Sequence, residues 1–205
     1  MKLQIKDFLN TIICGDAWIE LKKFPDESID MILADPPYDK KFNLEKFIQL
    51  VMPKIKEKGS LLLFIFPDDI WKIKTPAKQI CIWKEVYSPQ GIETPKYRRF
   101  FDLILWYPKS KNYTFNSLMR YQLRGIFDDY FEDKLEKQHP HQKPLSLIKK
   151  LIKIHSNEDD IVLDPFLGSG TTAKAAQDLK RNYIGIEISE KYCKIAERRI
   201  KQYMN

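Results

Sequence analysis

The stretch Ile29-Asp30-Met31-Ile32-Leu33-Ala34-Asp35-Pro36-Pro37-Tyr38 joins an apolar run to an acid, two prolines and an aromatic ring. The apolar run is typical of a strand buried in a sheet. The carboxylate of Asp35 can accept a hydrogen bond from an amine, the prolines fix the backbone, and the ring of Tyr38 offers a face for stacking. The tetrapeptide is therefore either an ordinary strand-ending turn or a grip for a heterocycle that carries an exocyclic amino group.

Outward from this stretch, strand-like and helix-like segments alternate along the chain. Strands are predicted at Thr11–Cys14, Ile29–Ala34, Leu61–Phe66, Glu85–Ser88, Arg98–Tyr107, Ile161–Leu163 and Tyr183–Glu187. Helices are predicted at Ala17–Phe24, Leu44–Lys58 (stopped by Gly59), Pro144–His155, Thr171–Leu179 and Ser189–Tyr203. Such alternation predicts an α/β fold whose mostly parallel sheet carries helices on both faces. We expect one domain over residues 1–205, with a short recognition or mobile insert at about 109–142, where no periodicity is clear.

Charge and cysteine usage limit the classes of function. The net charge of +7 permits a polyanionic partner, and residues 96–124 hold seven Lys or Arg against one acid, with aromatic residues between them. That composition suits either a phosphate backbone with unstacked bases or a solvated face over a strand core. Cys14, Cys81 and Cys193 lack metal-type spacing, so we expect each to pack in the core and expect no zinc site. No signal peptide or membrane-spanning run is present, which predicts a cytoplasmic protein.

A second motif, Asp164-Pro165-Phe166-Leu167-Gly168-Ser169-Gly170-Thr171-Thr172, joins a strand to a helix. Its glycines let the backbone turn tightly and approach a ligand. The motif is neither a full dinucleotide fingerprint nor a phosphate loop. Glu187, nineteen positions beyond Gly168, ends the next strand, where an acid accepts hydrogen bonds from ribose hydroxyls. The pocket therefore suits a nucleoside without a polyphosphate, such as S-adenosylmethionine.

A third cluster, His139-Pro140-His141-Gln142-Lys143-Pro144, precedes a predicted helix. One turn rarely builds a metal site without an outside ligand, so we expect no metal here. Pro144 is ordinary at a helix start. We expect Gln142 and Lys143 to reach the carboxylate of a bound amino-acid moiety.

Together, the three motifs resemble those of the S-adenosylmethionine-dependent amino-methyltransferases of DNA. The catalytic tetrapeptide comes first and the cofactor loop last, which resembles the circularly permuted beta group. The resemblance covers about residues 11–66 and 139–203. It implies a Rossmann-like methyltransferase fold with a seven-stranded sheet. It also implies methyl transfer to the N6 amino group of adenine in duplex DNA, with the target base flipped out.

The resemblance also implies roles for individual residues. Asp35 and the carbonyl of Pro36 would accept hydrogen bonds from the target amine, and Tyr38 would stack on the base. Asp16, which could equally be a helix N-cap, would contact the cofactor adenine. The predicted catalytic set is Asp35, Pro36, Pro37 and Tyr38. The predicted cofactor set is Asp16, Lys143, Asp164, Phe166, Gly168, Gly170, Thr171 and Glu187. The predicted DNA contacts are Lys40, Lys41, Lys109, Lys111, Arg120 and Arg124.

Several alternatives stay open at this point. Cytosine N4 is the nearest variant of the target amine, and a non-catalytic nucleic-acid-binding subunit of the same fold or an RNA substrate is also compatible with the sequence. Methylation of cytosine C5 is disfavoured, because none of the three cysteines follows a proline. The beta group usually has a longer recognition segment than this chain, so a homodimer or a partner subunit is expected to complete the grip on DNA.

Overall fold

The computed structural model describes residues 4–37, 39, 41–84, 101–116, 125–129 and 142–201. Within these residues, eight strands form one sheet in the order β1-β8-β7-β2-β3-β5-β4-β6. The strands are β1 Thr11–Cys14, β2 Ile29–Ala34, β3 Ile55–Ile65, β4 Gln79–Lys84, β5 Phe101–Pro108, β6 Ile126–Phe127, β7 Ile161–Asp164 and β8 Asn182–Glu187. The predicted α/β class is confirmed. The described sheet has one strand more than the seven expected, because the two-residue β6 forms inside the expected insert.

Most neighbouring strands run parallel. The exceptions are the pairs that β5 makes with β3 and with β4, both of which are antiparallel. β2 lies between β3 and β7 and is parallel to both. The chain therefore builds outward in one direction after β2 and in the other after β7, and the carboxyl ends of these two strands meet where the direction of winding changes. Ligands bind at such points in open α/β sheets.

The helices cover both faces of the sheet, as predicted. Their bounds are α1 Ala17–Glu20, α2 Leu44–Val51, α3 Leu145–His155, α4 Thr171–Asp178 and α5 Glu190–Lys201. Alternate residues of β2 serve the two faces: Ile32 and Ala34 pack with α1 and α2, whereas Met31 and Leu33 pack with α3 to α5. This period of two is what a strand buried on both faces requires.

The helix predicted over Leu44–Lys58 is too long. α2 ends at Val51, a 3-10 turn covers Met52–Lys54, and the strand β3 begins at Ile55. Gly59 therefore does not stop a helix but lies within β3, where the register against β2 shifts between Ile29 and Met31. β4 at Gln79–Lys84 was not predicted, and the strand predicted at Glu85–Ser88 lies outside the described residues.

The cysteines differ from expectation. Cys14, at the exposed end of β1, is bonded to Cys193 on α5, and their Cα atoms are 6.1 Å apart. Only Cys193 of this pair is buried, whereas Cys81 is a free, partly buried thiol beside the core. Core packing is thus the wrong prediction for Cys14, because β1 is an edge strand with an open side. None of the helices in the described residues combines the length and apolarity that a bilayer crossing requires.

Candidate active site

A cavity of about 780 Å³ opens at the carboxyl ends of the parallel strands. Its size is typical of a site for a small molecule or cofactor. It is lined by residues that follow β1, β2, β3, β7 and β8, and by the segment before α3; among them are Asp16, Asp35, Pro36, Pro37, Phe66, Lys143, Asp164, Phe166, Gly168, Thr171 and Glu187. The sheet therefore brings together the catalytic tetrapeptide and the glycine motif, which are more than 120 residues apart in the sequence.

Asp35 leaves the end of β2 and meets a buried cation. Its Oδ2 lies 2.8 Å from Nζ of Lys143, whose side chain is only 8% exposed. The same ammonium group lies 3.5 Å from Oδ2 of Asp102, a buried acid on β5. Lys143 was predicted from the sequence as a cofactor contact, and it does line the cavity, but its ammonium group lies between two carboxylates. Asp102 belongs to none of the three sequence motifs and was not predicted as a site residue.

The glycine motif forms the turn from β7 into α4. Oδ1 of Asp164 accepts a hydrogen bond from the backbone N–H of Phe166 at 2.9 Å. Gly170, the residue before α4, has φ of 87°, and an added Cβ would lie 2.9 Å from Cβ of Ala196. Only glycine suits this left-handed position against α5. Burial, reinforced by the charges of Asp35 and Glu187, raises the pKa of Asp164 to about 7 even though Thr172 and Phe166 donate to it.

Glu187 ends β8 with its carboxylate fixed over the glycine motif. Oε2 accepts from the N–H of Gly168 at 2.8 Å, and Oε1 accepts from the N–H of Ser189 at 2.8 Å. A carboxylate has about four acceptor positions, so it retains capacity for ribose hydroxyls. Asp16 caps α1 by accepting from Trp18 N–H at 2.7 Å and also lines the cavity, so its two sequence interpretations are compatible.

An aromatic wall completes the cavity on the side of α2. The ring of Phe166 contacts Phe42 and Phe47, with ring centroids 5.5 Å and 5.3 Å apart, and Phe42 in turn contacts Trp18 at 5.4 Å. Phe166 was predicted to line the cofactor pocket, but Phe42 and Trp18 were not. Their signal in the sequence was an aromatic residue soon after each strand-end motif.

Polar side chains from α5 and from the segment before α3 form hydrogen bonds with the glycine motif. Oγ of Ser169 donates to Oε1 of Gln142 at 2.9 Å. Nη1 of the buried Arg199, on α5, donates to Oγ1 of Thr171 at 3.0 Å. Thr171, predicted as a cofactor contact, therefore also joins α4 to α5. Arg199 had no signal in the sequence, since a basic residue late in an exposed-looking helix usually faces solvent.

The predicted DNA contacts fall into three groups: those outside the described residues, one beside the cavity, and two away from it. Lys40, Arg120 and Arg124 lie outside the described residues, as does Tyr38 of the predicted catalytic set. Lys41 is exposed beside the cavity, and its N–H donates to Asp39, which lines the cavity.

Lys109 and Lys111 do not lie at the cavity. The N–H of Lys109 donates to the carbonyl of Gly59, and its Nζ donates to the carbonyl of Met52. Because β5 runs antiparallel to β3, the residues after Pro108 lie at the end of the sheet away from Asp35. Nearby Tyr113 and Phe115 pack on Trp106, and Tyr113 is partly buried against the core whereas Phe115 is exposed.

Within the described residues, no three His, Cys, Asp or Glu side chains come together as a group that could hold a metal ion. His139 and His141 of the third motif fall outside those residues. Among the described residues, the cavity presents carboxylates, the buried ammonium group of Lys143, backbone N–H groups and the aromatic wall.

Comparison with known proteins matches this chain to one family. The DNA methylase family matches residues 29–198. The type II methyltransferase M.HinfI of Haemophilus influenzae is 32% identical over an alignment of 255 positions, gaps included. The alignment covers 98% of this chain and 71% of the relative. The DNA adenine methyltransferase YhdJ of Escherichia coli (strain K12) is 32% identical, with 93% of this chain and 82% of the relative covered.

A solved structure agrees with the sequence relatives. The crystal structure of the complex of M1.HpyAVI with SAM matches with a TM-score of 0.75 at 31% identity, covering 92% of this chain and 98% of that one. The chain belongs to the DNA methylase family.

Proposed function

We propose that this protein transfers the methyl group of S-adenosylmethionine to the N6 amino group of adenine in DNA. One observation carries the proposal: Asp35 and the glycine motif open into the same cavity, at the point where the winding of the sheet changes direction. An amine held by Asp35 would then lie close to a cofactor held by the glycine motif. Family membership and the relatives named above support the same reaction.

The cofactor is expected to lie along the carboxyl ends of β7 and β8. Glu187 would accept from the ribose hydroxyls, and Asp16 would reach the adenine, while the ring of Phe166 would cover one side. Because no lysine of a phosphate loop follows the glycines, a nucleoside without a polyphosphate suits this turn. The structural relative solved with SAM supports that choice.

Methyl transfer needs little covalent help from the protein. The lone pair of an aromatic amine is delocalised into the ring, which makes the amine a weak nucleophile. Hydrogen bonds from the amino group to Asp35 and to the carbonyl of Pro36 would favour a pyramidal nitrogen whose lone pair faces the sulfonium methyl. The C–N bond forms as the C–S bond breaks, the positive charge passes from sulfur to nitrogen, and the extra proton leaves the nitrogen afterwards. Orientation and electrostatics would thus supply most of the rate enhancement.

The target base must leave the duplex to reach Asp35. Extruding a base costs a few kcal/mol, which stacking and pocket contacts offset. Tyr38 is the proposed stacking ring, and Lys41 beside the cavity is the proposed phosphate contact. We further propose one catalytic domain over residues 1–205 and a cytoplasmic location, where DNA is available. Because the insert at about 109–142 is short, a homodimer or a partner subunit is proposed to complete the DNA interface.

Isotope-labelled S-adenosylmethionine and DNA of mixed sequence test the proposal directly. After digestion to nucleosides, mass spectrometry should find the label in N6-methyl-2′-deoxyadenosine. Label in N4-methyl-2′-deoxycytidine would show that cytosine, the alternative target, is methylated instead of adenine. Label recovered only with an RNA substrate would show that the substrate is RNA instead of DNA. Binding of DNA without transfer to any nucleoside would indicate a non-catalytic subunit.

A further inference from the structure

The buried ammonium group of Lys143 is enclosed by four elements of the fold. Besides Asp35 and Asp102, it lies 5.2 Å from the ring centroid of Phe64 on β3 and 5.4 Å from that of Trp83 on β4. Trp83 is itself fixed, because its Nε1 donates to the carbonyl of Asp129 at 2.9 Å. A lysine is rarely buried to this degree without paired charges. The side chain is thus held at one position next to the carboxylate that would receive the target amine.

A cation beside Asp35 has two opposing effects on methyl transfer. It fixes the orientation of the carboxylate, which helps to align the amine. It also offsets the negative charge of Asp35. This opposes methyl transfer, because the amine nitrogen becomes positive as the methyl group arrives and is then attracted less strongly by the carboxylate. Asp102 resolves this conflict, since its carboxylate lies 3.5 Å from the same ammonium group. The three groups carry a formal charge of −1 together, so the site keeps a net attraction for the nitrogen that becomes positive.

We propose that Lys143 and Asp102 are positioning residues for Asp35, forming with it a buried Asp–Lys–Asp unit that orients the amine acceptor while keeping its net negative charge. The inference rests on the methyl transfer proposed above and deepens it. It gives Lys143 a role on the side of the target base, in place of the contact with the cofactor carboxylate that its motif had predicted.

The burial of the unit supports this role over a cofactor contact. The side chains of Lys143 and Asp102 are 8% and 5% exposed, whereas that of Asp35 is 19% exposed toward the cavity. A lysine already paired with two carboxylates has to give up part of that pairing before it can bind a third. Asp102, on β5, is not among the residues that line the cavity, but its carboxylate is paired with Lys143, which does line it.

The experiment compares Lys143→Met and Asp102→Asn with the wild type. Lys174→Met serves as the matched control, because Lys174 is also 8% exposed and paired with an aspartate, Asp178, but does not line the cavity. Circular dichroism and thermal unfolding check that each variant folds. Steady-state kinetics on DNA give kcat, and calorimetry gives the Kd values of S-adenosylmethionine and of 5′-methylthioadenosine, which lacks the amino-acid carboxylate.

We expect kcat to fall about 10- to 100-fold in Lys143→Met and about 10-fold in Asp102→Asn, with Kd values for both nucleosides within about threefold of the wild type and Lys174→Met near wild-type kcat. A Lys143→Met variant that loses affinity for S-adenosylmethionine but not for 5′-methylthioadenosine would overturn the inference in favour of a cofactor contact. If Lys143→Met does not fold, the nearly isosteric Asp102→Asn decides, because unchanged kcat in that variant contradicts the unit. A wild type that methylates no nucleic acid would instead refute the proposed function, independently of these variants.

Discussion

At the scale of single residues, Asp35 is the group whose removal should separate chemistry from cofactor binding. Its carboxylate opens into the cavity from β2, whereas the cofactor turn follows β7. We expect Asp35→Ala to lower kcat by at least about 100-fold, because the amine loses its acceptor in the transition state. Its Kd for S-adenosylmethionine should stay within about threefold of the wild-type value. Calorimetry and a methylation assay measure the two quantities, and normal turnover in this variant would refute the mechanism.

Glu187 should show the opposite pattern. Its carboxylate, fixed by the N–H groups of Gly168 and Ser189, is the proposed acceptor for the ribose. Hydrogen bonds to a charged group contribute about 1.5–3 kcal/mol. We therefore expect Glu187→Ala to weaken the binding of both S-adenosylmethionine and 5′-methylthioadenosine by about 10- to 100-fold in calorimetry. Glu190→Ala, an exposed neighbour three residues along, is the control and should bind both as the wild type does.

At the scale of elements, Gly59 is the position where β3 depends on its neighbour. A Cβ at this position would lie 2.4 Å from the carbonyl oxygen of Asp30 and 2.6 Å from Cγ2 of Ile55. Both atoms belong to the core of the β2–β3 pair and have little room to move. We expect Gly59→Ala to lower the free energy of unfolding by roughly 1–3 kcal/mol, as overpacking does. Urea unfolding measures the change, and a variant as stable as the wild type would show that Asp30 and Ile55 can move enough to accommodate a Cβ.

The same glycine explains why one helix was predicted beyond its end. Residues 44–58 keep a helical spacing of apolar side chains, and a glycine after such a run usually ends a helix. The approach of Asp30 to Gly59 is a tertiary contact that no local pattern reports. In contrast, α3, β7, α4 and β8 were predicted within a residue or two, because Pro144, the glycine motif and apolar periodicity all agree over these segments.

The candidate site also combines features that the sequence predicts with features that depend on tertiary contacts. The meeting of Asp35, the glycine motif and Glu187 could be predicted, because parallel strands bring their carboxyl ends to one edge. The pairing of Lys143 with Asp35 spans 108 residues and depends on the segment before α3 crossing the end of β2. Lys109 and Lys111 were assigned to DNA from composition, which carries no information about the end of the sheet at which an antiparallel strand finishes.

At the scale of the whole molecule, two buried titratable groups lie at opposite ends of the sheet. Asp164 ends β7 at the cavity, and burial raises its pKa to about 7. His155 ends α3 at the other side, 5.0 Å from the ring of Trp106, and burial lowers its pKa to about 3. No hydrogen-bond partner for Nδ1 of His155 occurs among the described residues, which is consistent with a neutral, desolvated ring.

These two groups make stability depend on pH in opposite directions. The contribution of Asp164 is complete below its unfolded pKa of 3.8 and is lost as the pH rises to about 7, because the folded state retains a proton that the unfolded state has released. The contribution of His155 is complete above its unfolded pKa of 6.5 and is lost as the pH falls to about 3. Between pH 3.8 and 6.5, the two slopes nearly cancel in the wild type.

Single substitutions should expose each slope. In the cofactor-free protein, we expect the free energy of unfolding of Asp164→Asn, relative to the wild type, to rise between pH 4 and 6.5, by at most about 1.4 kcal/mol per pH unit. That of His155→Leu should fall over the same range by a similar amount, and the double variant should again follow the wild type. Urea unfolding at four or five pH values measures these differences. Parallel curves for all four proteins would mean that neither group titrates differently in the folded and unfolded states, since every other titratable group is common to all four.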